Sequence, residues 1–235
     1  MRSYESDSTK SYEAFEKIVF PTVAKLFGWI SFKSVEASND PADKARDIND
    51  GVDLEIQTKK DGTIIVANRV QVDKRNWGTI TITSNRGNGA DCELPKRLAQ
   101  ISNGTNQINH VMHSYVNADT QELMGVYIMS AVDLYGYLTR NKYTMDSFYK
   151  CCGIRYRNII NDEGNTFSCV NAKEVLNDTI HRYDSLFVAA PGFWDSWLEE
   201  IEEDEEVRAL YSEKFINKAK ICKRISDELF SPEKR

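Results

Sequence analysis

The chain opens on a helical period. In residues 10–28 (KSYEAFEKIVFPTVAKLFG), Phe15, Ile18, Val19, Val23, Leu26 and Phe27 recur at three- and four-residue spacing and define one apolar face. Ser8 or Thr9 can cap this helix and Gly28 can end it, while Pro21 predicts a kink or the first turn of a second short helix. Residues 37–51 (ASNDPADKARDINDG) break the period and read as a polar, Asp-rich connection.

From Val52 the period becomes two. Val52, Leu54 and Ile56 alternate with Asp53, Glu55 and Gln57, and Asp61-Gly62 predicts a hairpin into a returning strand, residues 63–72 (TIIVANRVQV). Residues 77–83 (WGTITIT) predict a third strand of the same meander, followed by a Gly-rich loop at 85–90 and a helix over 95–101. Two further strands are expected at 108–116 and 122–130, a helix at 132–138, and a second hairpin from 154–160 and 166–170 closed by Asn161-Asp162-Glu163-Gly164. Asn171 can cap a helix beginning at Ala172, and the residues after Pro191-Gly192 read as helical. The pattern predicts an α/β (α+β) fold with a mixed β-sheet, organised as a core over residues 1–175 and a C-terminal helical appendage over 176–235.

Length and composition fit this picture. The 235 residues are 41% hydrophobic and 28% charged with 12 Gly and 5 Pro, which excludes collagen-like, disordered and disulfide-scaffold chains. No apolar run reaches the roughly 18–20 residues of a membrane helix, and the polar first residues lack a signal-peptide core. Five Cys without a CxxC pair predict reduced thiols in a cytoplasmic protein. His110 and His113 would point to opposite faces of a strand, which disfavours them as a metal pair. The sequence has no P-loop, dinucleotide-binding glycine motif or GxSxG element.

The net charge of −6 disfavours coating nucleic acid by bulk charge, yet seven acids lie in residues 199–206 (EEIEEDEE) and the rest of the chain sums to +1. Lys74, Arg75, Arg86, Lys96 and Arg97 fall in a locally basic stretch with Trp77 and a Gly-rich loop, a candidate nucleic-acid track. An ordinary solvated helix end with a Glu93–Lys96 pair explains the same residues. Arg155 and Arg157 suit a charge-protected edge strand. The stripe Phe193, Trp194, Trp197, Leu198, Ile201 suits a docking seam, either to the core or to a second copy in a homodimer.

The returning strand carries the candidate chemistry. Arg69, Gln71 and Asp73 alternate on one face of a strand that is otherwise apolar, and Asp53 opens the partner strand. Oxygen ligands of this kind can hold Mg²⁺, which polarises a phosphate and acidifies water, while a nearby base stabilises the charge that develops. Taken singly, each residue also suits the wet face of a hairpin, with Arg69 paired to Glu55.

The joint order resembles the PD-(D/E)xK, or restriction-endonuclease-like, nuclease superfamily, whose core is αβββαβ. The resemblance spans residues 10 to about 130. It rests on GVDLEI around Asp53 and RVQVDK, Arg69 to Lys74. It implies a metal-dependent DNA endonuclease of restriction, homing or repair type. Glu16, Asp50 and Asp53 would hold Mg²⁺ or Mn²⁺, Gln71 would line the site, and Arg69 or Lys74 would stabilise the transition state. Lys74 stands one residue beyond the family position, where Asp73 stands. Either a bulge brings Lys74 to the site, or Arg69 takes the basic role and Ala67 stands where an acid is expected, or the site is degenerate. Asp47 or Asp50 could replace a missing ligand. The alternative reading is a catalytically inactive nuclease-like fold that binds nucleic acid or a protein.

Overall fold

The computed structural model describes residues 4–85, 92–148, 156–160, 166–178 and 183–231. The first apolar face forms one helical run that survives Pro21. Helix α1 (Tyr4–Ala14) passes through a π turn at Phe15–Val19 into α2 (Phe20–Phe27), with the Phe20 N–H bonded to the Phe15 carbonyl. A proline inside a regular helix clashes with the preceding turn and removes a donor, and a wider turn just before it relieves both. Gly28 ends the run at φ +65°, as its position predicts.

Two elements in the next segment differ from the sequence reading. Trp29–Ser34 is a strand, β1, and part of the polar connection is a helix, α3 (Pro41–Asp50). The signals of α3 are local: Asp40 accepts the Ala42 N–H at 2.8 Å, Pro41 opens the first turn, and Gly51 closes the helix at φ +61°. Its apolar content is too low for periodicity to report it. It is held instead by ion pairs: buried Asp43 to Lys33 of β1 at 2.8 Å, and Arg46 to Glu55 of the next strand at 2.7 Å.

The hairpin forms where Asp61-Gly62 predicts it, between β2 (Leu54–Thr58) and β3 (Gly62–Asp73). Then follow β4 (Thr79–Asn85), α4 (Glu93–Ser102), β5 (His110–Asn117), β6 (Leu123–Ser130), α5 (Ala131–Phe148), β7 (Tyr156–Ile160) and β8 (Thr166–Asn171). The chain ends with α6 (Ala172–Leu176), β9 (Phe187–Ala189), α7 (Asp195–Glu203), α8 (Glu205–Ala209) and α9 (Glu213–Phe230). Asn171 caps α6 as expected, through the Lys173 N–H at 2.9 Å. The expected turn at 161–164 lies outside the described residues.

The fold is mixed α/β. The main sheet has the order β1-β2-β3-β5-β6-β9, antiparallel throughout except for β3 beside β5, and β4-β8-β7 form a second, antiparallel sheet. The third strand of the meander is therefore β1, which precedes the hairpin, and not β4. β3 has β2 on one side as far as Val66 and β5 on the other, and beyond Val66 its free side is met by Asp53 and by Ser11 of α1 rather than by β4. The chain turns away at Asn76–Gly78, and β4 lies over one face of the main sheet, where the Thr81 N–H bonds His113 Nδ1 at 2.9 Å.

One continuous apolar cluster runs from Ala14 to Cys222. The Phe193–Ile201 stripe docks on this core: all five residues are buried, and the Trp194 indole donates to the Val188 carbonyl of β9 at 2.9 Å. Among the described residues no helix is long and apolar enough to cross a membrane.

The turn out of β3 depends on Asn76. Its amide donates to the Met124 carbonyl at 3.0 Å and accepts from the Gly78 N–H and the Tyr127 hydroxyl, both at 3.0 Å. It crosses Gly125 so closely that a Cβ there would lie 2.4 Å from Asn76 Nδ2 and 3.3 Å from the Ala190 Cβ. With three hydrogen bonds fixing it, Asn76 cannot yield cheaply. Gly125→Ala should therefore lower stability by about 1–3 kcal/mol in urea unfolding. An unchanged midpoint would show that this crossing is slack.

Candidate active site

β3 is longer than the strand beside it. β2 begins at Leu54, opposite Val66, while β3 continues to Asp73 with β5 on its other side. The unpaired donors of this overhang are met by side chains. The Asn68 N–H bonds the Asp53 carboxylate at 2.5 Å, and the Val70 N–H reaches the Ser11 hydroxyl at 3.3 Å, which in turn donates to the Val70 carbonyl at 3.1 Å. The Asp53 backbone carbonyl meanwhile accepts the Val35 N–H at 2.8 Å. Asp53 is thus clamped between the segments following β1 and β2's neighbour β3.

Its carboxyl group is pushed well above the usual carboxylate range. Burial is the main cause, and the negative charges of Glu36, Glu93 and Asp47 add to it against the opposing bond from Asn68. Glu93, in the first turn of α4, is positioned from below. The fully buried Tyr135 hydroxyl of α5 donates to Glu93 Oε1 at 2.8 Å, with the Arg97 guanidinium on its other side. Arg97 also bonds the Gly51 carbonyl at 3.3 Å and the side chains of Gln100 and Asn106 at 2.7 and 3.2 Å. One end of this network anchors the entry to β2, and the other holds the Glu93 carboxylate, whose charge is felt at Asp53.

Among the described residues, no three Asp, Glu, His or Cys side chains converge as a ready-made metal cage. Mg²⁺ does not require one, since it commonly takes one or two carboxylates and completes its shell with water and phosphate oxygens. The donors here are oxygens, and their mutual repulsion, visible in the raised pKa of Asp53, is what a cation would relieve. Oxygen donors are the kind that Mg²⁺ or Mn²⁺ takes.

The other sequence candidates lie elsewhere. Glu16 is exposed and paired with the Tyr12 hydroxyl. Asp50 accepts from Gln107 at 3.2 Å and Gln100 at 3.5 Å at the end of α3. Gln71 donates to Asp73 at 3.0 Å, and Lys74 pairs with exposed Asp119 at 3.1 Å. Both belong to the far end of β3. Arg69 shares the face of Ala67, yet its guanidinium lies 5.0 Å from the Phe167 ring centre, against the second sheet. The register sets Ala67, not Gln71, opposite Asp53. Of the basic track, Arg75 is exposed, Lys96 donates to the Ile48 carbonyl at 2.5 Å, and Arg97 is only 1% exposed, an internal strut rather than a surface cation. Arg86 lies outside the described residues.

Three acids whose charges reach Asp53 carry little signal in the sequence: Asp47 stands there as a substitute ligand, Glu93 as half of a helix pair, and Glu36 in no motif. Glu93 and Glu36 lie 40 residues after and 17 before Asp53 in the chain, in elements that only tertiary folding brings to β2. Comparison of the chain with models of known families, with curated proteins and with solved structures finds no match.

His113 occupies the same sheet face in the interior, fully buried and stacked on Tyr115 at 4.8 Å. Burial, and then the charge of Arg69, hold its pKa well below the usual value. The unfolded chain takes up this proton below about pH 6.5 while the folded chain does not, so stability is lost as pH falls. The expected contribution is about 1.4 kcal/mol per pH unit below that point, read as the slope that His113→Gln removes from urea unfolding between pH 7 and pH 5. Asp53 has the opposite sign: a raised folded pKa means its stabilising share is present at low pH and lost as pH rises through that pKa. Asp53→Asn keeps an acceptor for the Asn68 N–H and removes the repelled charge, so at neutral pH it should raise the melting temperature, by about 2–4 °C per kcal/mol relieved. A fall in melting temperature would make Asp53 a purely structural residue.

Proposed function

We propose that this chain is a restriction-endonuclease-like, metal-dependent nuclease that hydrolyses DNA phosphodiester bonds. The observation that carries the reading is Asp53: a clamped, desolvated carboxyl at the mouth of β2, made difficult to ionise by Glu36, Glu93 and Asp47 around it. Stability alone gives no reason to gather acids around a buried acid. The order of a helical run, three antiparallel strands, and a helix leading to β5 parallel to β3 supports the same reading.

Asp53 and Glu93 are the residues that would hold the cation, with the charges of Asp47 and Glu36 adding to the local negative field. Glu93, from α4, takes the place of the strand acid that Ala67 cannot supply. When bound, Mg²⁺ or Mn²⁺ supplies polarisation of the scissile phosphate and a more acidic water. The chain itself supplies orientation. The Asn68 N–H fixes one Asp53 oxygen, and Tyr135 fixes one Glu93 oxygen, so the remaining carboxylate oxygens are preset rather than free to rotate. A cytoplasmic setting fits the buried thiols of Cys92, Cys169 and Cys222, which are not in disulfides.

Supercoiled, linear and single-stranded DNA should be cut with Mg²⁺ or Mn²⁺ and left intact in EDTA. Asp53→Asn should abolish cutting, and Glu93→Gln should reduce it about 10–100-fold. Cutting that survives Asp53→Asn would remove this site from the reaction. DNA binding that weakens steeply with salt, in the absence of cutting on any of the three substrates, would instead make the chain an inactive nuclease-like binding module.

A further inference from the structure

At the far end of β3 lies a cleft of about 510 Å³, lined in part by Trp77, Asn117, Glu122, Asn171, Lys173 and Phe193. This is within the usual size of small-ligand sites. Trp77 is 51% exposed, although the other three tryptophans, Trp29, Trp194 and Trp197, are 8%, 1% and 5% exposed. It is nevertheless fixed. Its indole N–H donates to Asp73 at 3.1 Å, and the Arg75 guanidinium lies 5.8 Å from its ring centre. Asp73 is the anchor of this arrangement, because it also accepts from Gln71 at 3.0 Å and from the Lys74 N–H at 2.6 Å. A large exposed aromatic ring held in one orientation costs little to order when a flat ligand stacks on it.

We propose that this cleft is a nucleobase-binding subsite, in which Trp77 stacks one base of a DNA strand while Lys74, Arg75 and Lys173 receive the flanking phosphates. The choice of a DNA strand rests on the nuclease reading above. Three surface cations face two rim acids, Asp119 and Glu122. Asp119 already pairs with Lys74 through a fully exposed bridge that a phosphate can replace, and Glu122 accepts from Thr120 at 3.0 Å. Asn117 and Asn171 belong to the wall, with amide oxygens that already accept the N–H groups of Asp119, Thr120 and Lys173. Asp73 and Ala67 share one sheet face, six residues apart, so the cleft lies about 20 Å along β3 from the position opposite Asp53. A single strand several nucleotides long can span that distance and engage both.

The test uses the full chain in EDTA, so that cleavage plays no part. Short single-stranded DNA, the same strand with abasic sites, and deoxyadenosine monophosphate are titrated against tryptophan emission, whose solvent-exposed share comes from Trp77. Binding of the strands to the protein and its Trp77 variants is read by anisotropy of an end label. The intact strand should quench this emission and bind about 10–100-fold more tightly than the abasic strand. Trp77→Ala should remove that preference with an unchanged urea midpoint, and Trp77→Phe should restore most of it. Equal binding of intact and abasic strands to the unmodified protein, or a base preference that persists in Trp77→Ala, would overturn the subsite. Saturation by the mononucleotide with no gain from the strand would overturn the assignment to DNA in favour of a free nucleotide. Base-dependent binding without metal-dependent cutting would sink the nuclease reading alone. Cutting with no base preference would sink the subsite alone.

Discussion

The overhang of β3 past β2 is the constraint on which the rest of this structure depends. Twelve residues of β3 face five of β2, and beyond Val66 the strand has a sheet partner only on the β5 side. Backbone donors in a sheet interior must be met, and here the Asp53 carboxylate and the Ser11 hydroxyl meet them. The first helical run is thereby tied to β3, and the start of β2 is held to the same strand. The parallel β3–β5 pairing sits at the centre of the sheet and requires a long crossover, which the chain fills with β4 and α4.

That solution makes Asp53 do two incompatible things. As an acceptor for a backbone N–H it favours ionisation, and as a buried acid among Glu36, Glu93 and Asp47 it resists it. Desolvation and repulsion win. A residue selected only to close the ladder would be better as Asn, with no charge to bury. The excess charge is therefore the chemically informative part of the site, and the network from Arg97 through Tyr135 to Glu93 fixes the position of a second carboxylate whose charge reaches the first.

How legible the molecule is in its sequence varies with the range of the interaction responsible. The β2–β3 hairpin and the cap of α6 follow from turn and capping residues and appear where expected. β1 and α3 do not show as periodic segments: β1 exposes Ile30 at 62% and α3 exposes Ile48 at 68%, so their apolar residues do not mark a buried face. Asp53 stands out in the sequence because it heads an alternating strand. Gln71 and Lys74 were legible as chemistry but not as position, since one face of a long strand serves two ends. Gln71 and Asp73 orient Trp77 about 20 Å away from Asp53.

The sequence by itself determined the class of fold, the hairpin and the first helical run, because each depends on periodicity or on residues a few positions apart. Tertiary structure alone decided that β1 rather than β4 completes the meander, that Ala67 faces Asp53, and that Glu36 and Glu93 are its neighbours. The physical reason is that strand partnership is settled by which edges remain open after the whole sheet assembles. A carboxylate's pKa is likewise settled by charges brought near through space, and neither leaves a mark within any single stretch of chain.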